Sequence, residues 1–131
     1  MAAIMFDLDH FGQFNKNYGH QTGDQVLKTF AGVLRERFRA SDLVARFGGE
    51  EFVVILEEAS REDAVRLAED VRARLAQQEI LSDDGERLTV TVSAGCTQLD
   101  DEHSTREQLL RTADVALFMA KRAGRDRVVA A

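Results

Sequence analysis

At its centre the chain reads Arg46-Phe47-Gly48-Gly49-Glu50-Glu51-Phe52, between two apolar runs at 43–47 and 52–56. Two glycines between strand-like runs predict a tight β-hairpin turn, because both central residues can adopt positive φ without steric cost. The two glutamates follow at once, so the hairpin tip is small and acidic. Adjacent carboxylates suit a hard cation such as magnesium, and glycines let a ligand approach the backbone closely. Taken alone, the same four residues also fit a surface hairpin with two solvated glutamates.

Length and composition indicate one globular domain over residues 1–131. The sequence is 44% hydrophobic and 31% charged, which is an ordinary soluble composition. Its net charge of −6 argues against nucleic acid and against contact with an anionic membrane, since both require positive charge. No apolar run is long enough to span a bilayer. Cys96 is the only cysteine, which fits a reducing compartment, and we expect a cytoplasmic location.

Apolar periodicity along the chain predicts alternating strands and helices. The predicted order is a strand at 2–8, a helix at 11–18, a longer helix opening at Gly23-Asp24, the two hairpin strands, a helix after Ser60, a half-buried strand at 88–96, a helix opening at Ser104 with Glu107, and a strand at 127–129. Gly19 should end the first helix, and Ser60 with Asp63 should form a capping box. The continuous apolar run 52–56 predicts a central strand covered on both faces. The simplest architecture is an α+β, mainly antiparallel sheet covered by helices, of ferredoxin-like type.

Several short motifs follow one another in an order that resembles the GGDEF family of diguanylate cyclases. They are Asp7-Leu8-Asp9-His10-Phe11, Asn15, Gly19-His20, Gly23-Asp24, Arg39 with Asp42, the central hairpin, Thr91-Val92-Ser93-Ala94-Gly95, and Ala113-Asp114 to Lys121 through Gly124-Arg125. The resemblance implies a palm-like domain related to nucleotide cyclases and polymerases. It also implies that two GTP molecules are condensed into cyclic di-GMP, with release of pyrophosphate, at the interface of a homodimer.

The resemblance assigns a metal site to Asp7, the backbone carbonyl of Leu8 and Glu50. The expected ion is Mg²⁺, with Mn²⁺ as the alternative. Such ions favour deprotonation of an attacking hydroxyl and neutralise charge on phosphates. Glu51 would be a second ligand or would assist deprotonation, and the sequence does not separate these roles. The alternative reading of Asp7 is a solvated carboxylate at a strand end.

By the same resemblance, the residues that bind GTP are Asn15 and Asp24 for guanine, Gly48 and Gly49 for close approach of the phosphates, and Lys121 and Arg125 for phosphate charge. An amide and a carboxylate suit guanine, because its edge offers both donors and acceptors. Each residue also has a purely structural explanation. Asn15 and Asp24 are residue types that are common at helix termini. Lys121 and Arg125 are cations that the helix dipole favours near a C-terminus.

Arg39 and Asp42 have the R-x-x-D form of the family's product-inhibition site. An arginine fork is suited to the guanine and phosphates of bound cyclic di-GMP. An exposed helix end explains these residues equally well. The second arginine that often completes such a site corresponds to Asp70 here, so inhibition should be weak or use another residue.

Three departures from the family pattern bear on activity. The family's helix ahead of the first strand is not visible in the sequence, and that helix borders the guanine pocket. Gly12 replaces a phosphate-contacting lysine, and Lys16 replaces an aspartate. Gly12 and the missing helix favour an alternative function, a degenerate domain that binds GTP or cyclic di-GMP as a receptor without turnover. The intact glutamates of the hairpin favour the enzyme, which we expect to receive its signal from an upstream sensory domain or protein.

Overall fold

The computed structural model describes residues 1–99 and 105–131. Within these ranges the elements, in chain order, are β1 (Ala2–Leu8), α1 (Phe11–Tyr18), α2 (His20–Arg37), β2 (Leu43–Arg46), β3 (Glu51–Leu56), α3 (Arg61–Ala76), β4 (Ile80–Leu81), β5 (Arg87–Leu88), β6 (Val92–Gln98), α4 (Arg106–Arg122) and β7 (Val128–Ala130). No helix in these ranges is long and apolar enough to cross a membrane.

Five of the strands form one sheet in the order β2-β3-β1-β6-β7. Strand β1 lies at the centre and pairs antiparallel with both β3 and β6, while β7 joins β6 in parallel. Leaving β7 aside, this is the strand order of a split βαβ fold, so the ferredoxin-like prediction is confirmed. Strands β4 and β5 form a separate small hairpin.

The alternation of β1 side chains divides the core between the two faces of the sheet. Its even-numbered residues, such as Ile4 and Phe6, pack with α2 and α3. Its odd-numbered residues Ala3 and Met5 pack with α4. Asp7 continues the odd-numbered series, and this places its carboxylate on the face that α4 covers.

Helix α4 lies directly on the backbone of β6 at Gly95. A Cβ on Gly95 would stand 2.2 Å from the backbone nitrogen of Leu117 and 2.3 Å from the carbonyl oxygen of Ala113. Both distances are far inside van der Waals contact, so the helix and strand can approach this closely only because position 95 has no side chain. This contact sets the height of α4 above the sheet.

The central hairpin is confirmed, but its turn differs from the prediction. The strands end at Arg46 and resume at Glu51, so the connection spans four residues rather than two. Neither Gly48 nor Gly49 has positive φ. The turn is closed instead by backbone hydrogen bonds, in which the amides of Phe47 and Gly48 donate to the carbonyl of Glu51 at 2.7 and 3.3 Å. A four-residue loop does not need the mirror-image turns that two-residue hairpins use.

Two other boundary predictions were wrong. Helix α2 begins at His20 rather than at Gly23-Asp24, because Gly19, with φ of 87°, serves both as the C-cap of α1 and as the N-cap of α2. The single half-buried strand predicted at 88–96 is divided between β5 and β6, and β6 is buried on both faces because α3 and α4 cover it.

The helix caps were predicted with mixed success. The capping box of Ser60 with Asp63 is confirmed. The predicted cap Ser104 lies outside the described residues, and α4 is capped one position later, by Thr105 with Gln108. That pair has the same chemistry, since a hydroxyl accepts from the N3 amide while the N3 side chain accepts from the cap.

Candidate active site

The site begins with two carboxylates on neighbouring strands. Asp7 on β1 is directly opposite Glu51 on β3 in the antiparallel register, so both side chains point to the α4 face. Directly opposed residues hold their Cβ atoms about 5 Å apart. Asp7 is only 5% exposed, and this excludes the reading of a solvated strand end. The fold therefore places one buried and one half-buried carboxylate side by side.

Helix α4 adds one positive and one negative group to this pair. The ammonium of Lys121 donates a hydrogen bond to Oδ2 of Asp7. Burial raises the pKa of Glu51, and the negative charges of Asp7, Asp114 and Glu50 raise it further, while Lys121 lowers it. Negative charge thus remains in excess around Glu51 even with the lysine in place.

The hairpin tip is fixed to β1 and stiffened by one arginine. The amide of Leu8 donates to the carbonyl of Glu50 at 3.2 Å, which attaches the tip to the end of β1. Arg46 donates through Nε to the carbonyls of Gly48 and Gly49, both at 3.1 Å, and through Nη2 to Gly49. Our sequence analysis assigned no role to Arg46. It holds the loop on which Glu50 lies.

Asp9, the second aspartate of the first motif, has a structural role. It is 7% exposed and accepts hydrogen bonds from the hydroxyls of Thr91 and Ser93, both at 2.6 Å, and from the amide of Asp126 at 3.0 Å. With its lone pairs used in this way, it ties the end of β1 to β6 and to the segment before β7. The sequence analysis named Thr91 and Ser93 only as members of a family motif and did not connect them with Asp9.

Asn15 and Asp24, predicted to bind guanine, lie at the junction of α1 and α2. The amide oxygen of Asn15 lies against Gly23, the residue before Asp24. This oxygen is buried and has no hydrogen-bond partner. Asp24 is exposed near the start of α2. Asn15 is thus in contact with Gly23, and Asp24, the next residue in the sequence, has an exposed side chain.

Arg125 does not continue α4, although we expected it one helical turn after Lys121. The helix ends at Arg122, and Gly124 and Arg125 then adopt positive φ of 126° and 64°. The amide of Arg125 donates to the carbonyl of Ala120, which closes the helix end. Its side chain is exposed beyond the end of the helix.

Arg39 and Asp42 line an open groove of about 500 Å³ between the end of α2 and the start of α3. The Asp42 carboxylate accepts from the amide of Arg39 at 2.9 Å, so the two residues form a compact turn. Asp70, at the position of the family's second arginine, instead accepts a hydrogen bond from Arg37. Arg66, one turn earlier on α3, lines the groove.

The donor set of the carboxylate pair fits a divalent cation. No three His, Cys, Asp or Glu side chains converge as a ready metal site within residues 1–99 and 105–131. Mg²⁺ does not require one, because it is usually held by one or two carboxylates together with substrate phosphates. Burial, and after it the neighbouring carboxylates, raise the pKa of Glu51, and a cation beside it would favour the charged form again. Asp7 and Glu51, opposite each other on β1 and β3, therefore provide the two carboxylates that such a site uses.

Comparison with known proteins agrees with this geometry. The family model described as "Diguanylate cyclase, GGDEF domain" matches residues 1–127. Diguanylate cyclase DgcP of Pseudomonas aeruginosa is 46% identical over 128 residues, which cover 98% of this chain and 19% of that protein. Diguanylate cyclase DosC of Escherichia coli is 36% identical over 128 residues, which cover 98% of this chain and 28% of that protein. The chain thus spans less than a third of the length of either relative.

A solved structure shows the same fold. The GGDEF domain of DgcB from Caulobacter crescentus, in complex with c-di-GMP, superposes with a TM-score of 0.93 at 32% identity. The match covers 98% of this chain and 76% of that one. A TM-score this high over nearly the whole chain shows that the two chains have the same fold.

Proposed function

Because the chain belongs to the GGDEF-domain family of diguanylate cyclases, we propose that it condenses two GTP molecules into cyclic di-GMP with release of pyrophosphate. The observation that carries the proposal is the pairing of Asp7 with Glu51 across β1 and β3, beneath Lys121 of α4. Phosphoryl transfer depends on positioning and on charge stabilisation, and this cluster offers both. The family is metal-dependent, and Mg²⁺ is the ion we propose here.

Asp7, the Leu8 carbonyl and the hairpin glutamates would hold the cation. When bound, it supplies positive charge to the phosphates and favours deprotonation of the attacking hydroxyl. Glu51 has a raised pKa, so it is better matched to accepting a proton near neutral pH than an ordinary carboxylate. Glu50 lies on the tip that Arg46 stiffens, and we assign it to metal binding.

Positive groups would receive the triphosphate. Lys121 already lies beside Asp7, and its side chain is 32% exposed, so its ammonium is accessible to a phosphate. Exposed Arg125 is free of the constraint of the helix and can extend toward the outer phosphates. Gly48 and Gly49 place no side chain between the phosphates and the backbone of the tip.

The active unit would be a homodimer. Each chain has one Asp7–Glu51 pair and one Asn15–Asp24 region, and this is enough for one GTP. Joining two nucleotides in a ring requires a second GTP facing the first, which a second copy of the chain would supply. In this proposal the two chains face each other across the bound substrates, at the end of the sheet where the hairpin tip 47–50 and the Asp7–Glu51 pair lie.

Product binding is proposed for the groove at Arg39 and Asp42. The groove has the volume for a nucleotide, and Arg39 provides a guanidinium at its rim. Asp70 cannot take the role of a second cation, but Arg66 lies in the same groove and has the right charge. We therefore assign the second contact to Arg66.

One experiment tests the catalytic assignment against its alternative, a receptor that binds nucleotide without turnover. The protein is incubated with GTP and Mg²⁺, product is sought by chromatography, and bound nucleotide is measured by calorimetry. Formation of cyclic di-GMP and pyrophosphate supports the enzyme. Saturable binding without product would establish the receptor instead, and an absence of both would remove the proposal.

A further inference from the structure

The side chain of Asn15 occupies space that any side chain at position 23 would need. A Cβ on Gly23 would stand 1.7 Å from Oδ1 of Asn15 and 2.9 Å from its Cγ. Gly23 does not have positive φ, so the backbone does not require glycine here. In a helix, glycine is less favourable than alanine. What favours glycine at position 23 is therefore its contact with the Asn15 amide.

The amide oxygen of Asn15 lacks a donor in the free protein. It is the one buried side-chain oxygen or nitrogen without a hydrogen-bond partner in the part of the chain that the structure describes. An unpaired buried acceptor destabilises the protein, because it has lost its hydrogen bonds to water without replacement. A ligand that donates a hydrogen bond to this oxygen would remove the destabilisation at the α1–α2 junction. Exposed Asp24 lies next to Gly23 and supplies a second acceptor.

We propose that Gly23 is a specificity-determining positioning residue. Its missing side chain leaves the space in which the Asn15 amide lies, and the amide oxygen receives its missing hydrogen bond from the exocyclic amine of guanine. The inference rests on the proposed function, with GTP as substrate and with Asn15 and Asp24 contacting guanine as the family resemblance implies; the role of Gly23 is what is added here. The terminal torsion of asparagine is soft, so the amide can turn toward a base only while that space stays free.

The chemistry of the bases gives this proposal a sharp consequence. Guanine presents N1–H and an exocyclic amine, two donors for the two acceptors Asn15 and Asp24. Hypoxanthine lacks the amine, and adenine has an acceptor at N1. Sites that hydrogen-bond a polar group reject analogues that lack it, because their own polar groups remain unpaired. The unaltered protein should therefore prefer GTP to ITP.

The test compares Gly23→Ala with Gly32→Ala on the same helix. A Cβ at position 32 meets only the end of the Arg35 side chain, at 3.9 Å, so this control adds helix propensity without a clash. Binding of GTP and ITP is measured by calorimetry in Mg²⁺. We expect Gly23→Ala to lose about tenfold in GTP affinity but little in ITP affinity. In turnover, KM for GTP should rise more than kcat falls. Gly32→Ala should leave the preference unchanged.

A second pair of variants separates positioning from folding. In Asn15→Ala the amide is absent, so adding Gly23→Ala should not alter the GTP-to-ITP preference further, and both proteins should fold. If Gly23→Ala alone fails to fold, restored folding in the double variant together with a lost preference for GTP supports the proposal. Failure to restore folding, or a retained preference, overturns it.

The outcomes also separate this proposal from the proposed function. If the unaltered protein binds GTP and folded Gly23→Ala has the same preference for GTP over ITP, only the role of Gly23 is overturned. An absence of GTP binding by the unaltered protein overturns both.

Discussion

Lys121, in the last turn of α4, donates a hydrogen bond to the buried carboxylate of Asp7 at the end of β1. The contact joins the last helix to the first strand at the place where substrate phosphates are proposed to bind. The same ammonium lowers the pKa of Glu51, against the effects of burial and of three neighbouring carboxylates. It therefore stabilises the free protein as well as serving the proposed reaction.

Removing this lysine should weaken both the fold and the reaction. Lys121→Met leaves Asp7 buried without its cation, and we expect a loss of about 1–2 kcal/mol in the free energy of unfolding, since the lysine is partly exposed. Turnover should fall strongly, because the phosphates lose the same charge. Urea unfolding measures the first effect. The control is Lys28→Met, which replaces an exposed lysine on α2 and should not change the free energy of unfolding measurably. Equal losses of stability in the two variants would contradict the prediction.

Glu51→Gln should abolish turnover while the fold persists. An amide cannot provide the negative charge needed at a cation or accept the proton of a hydroxyl, so we expect a loss of about 100-fold or more in kcat. Product formation from GTP in Mg²⁺ is the measurement, with circular dichroism as the check on folding. Glu86→Gln, in the exposed β4–β5 hairpin, is the matched control. Wild-type rates in folded Glu51→Gln would refute the assignment.

The same substitution should stabilise the protein in a pH-dependent way. Burial first, and then Asp7, raise the pKa of Glu51 above the usual 4.5, so the folded protein keeps this proton where the unfolded chain has lost it. Ionised Glu51 therefore costs stability as pH rises through its folded pKa. Glu51→Gln should be more stable than wild type at neutral pH and lose that gain at acid pH. A gain that is independent of pH would mean that the charge is not its cause.

Arg39→Ala should weaken binding of cyclic di-GMP and spare binding of GTP. The arginine lies at the groove between α2 and α3, away from the hairpin tip. Loss of a charged hydrogen-bonding partner should reduce product affinity by about tenfold. Arg66→Ala should have the same selective effect, and Arg87→Ala, on the small hairpin, should have none. Calorimetry with each nucleotide decides, and equal product affinity in all four proteins would rule out a site here.

A charge at position 12 should tighten binding of GTP. Gly12 has open space where a Cβ would be, so lysine fits there without strain. One added exposed charge near a triphosphate is worth about 1 kcal/mol, or roughly fivefold in affinity.

Lys16 lies one turn later on the same face of α1 and is exposed. If it supplies part of the missing charge, Lys16→Ala weakens GTP binding and adding Gly12→Lys restores it; unchanged affinity in Lys16→Ala would end that idea.

The sequence predicted those parts of the fold that depend on local pattern. The strand Ala2–Leu8, the helix Phe11–Tyr18 and the Ser60–Asp63 cap were all recognisable, because periodicity and capping are properties of neighbouring residues. The burial of β6 on both faces was missed because α3 and α4, which cover it, are remote in sequence. The start of α2 was missed because one glycine caps two helices.

For the site, the sequence identified residue types but not their contacts. Asp7 and Glu51 were singled out separately, and only the register of β1 with β3 places them opposite each other. Arg46 went unassigned and Gly23 was interpreted only as a helix start. Their contacts, with backbone carbonyls and with an amide oxygen, have no sequence signature. The interpretation of Asp7 as a solvated carboxylate was wrong because tertiary packing covers the end of β1.

The central position of β1 also governs when the site can form. This strand comes first in the chain, yet both strands that pair with it come much later, as does the helix that carries Lys121. Pairings between remote segments require closure of long loops and slow the search for the native state. During synthesis, β1 leaves the ribosome before β3 and β6, so its backbone hydrogen-bonding groups have no partner strands until those segments follow. The proposed active site can therefore form only after nearly the whole domain has emerged.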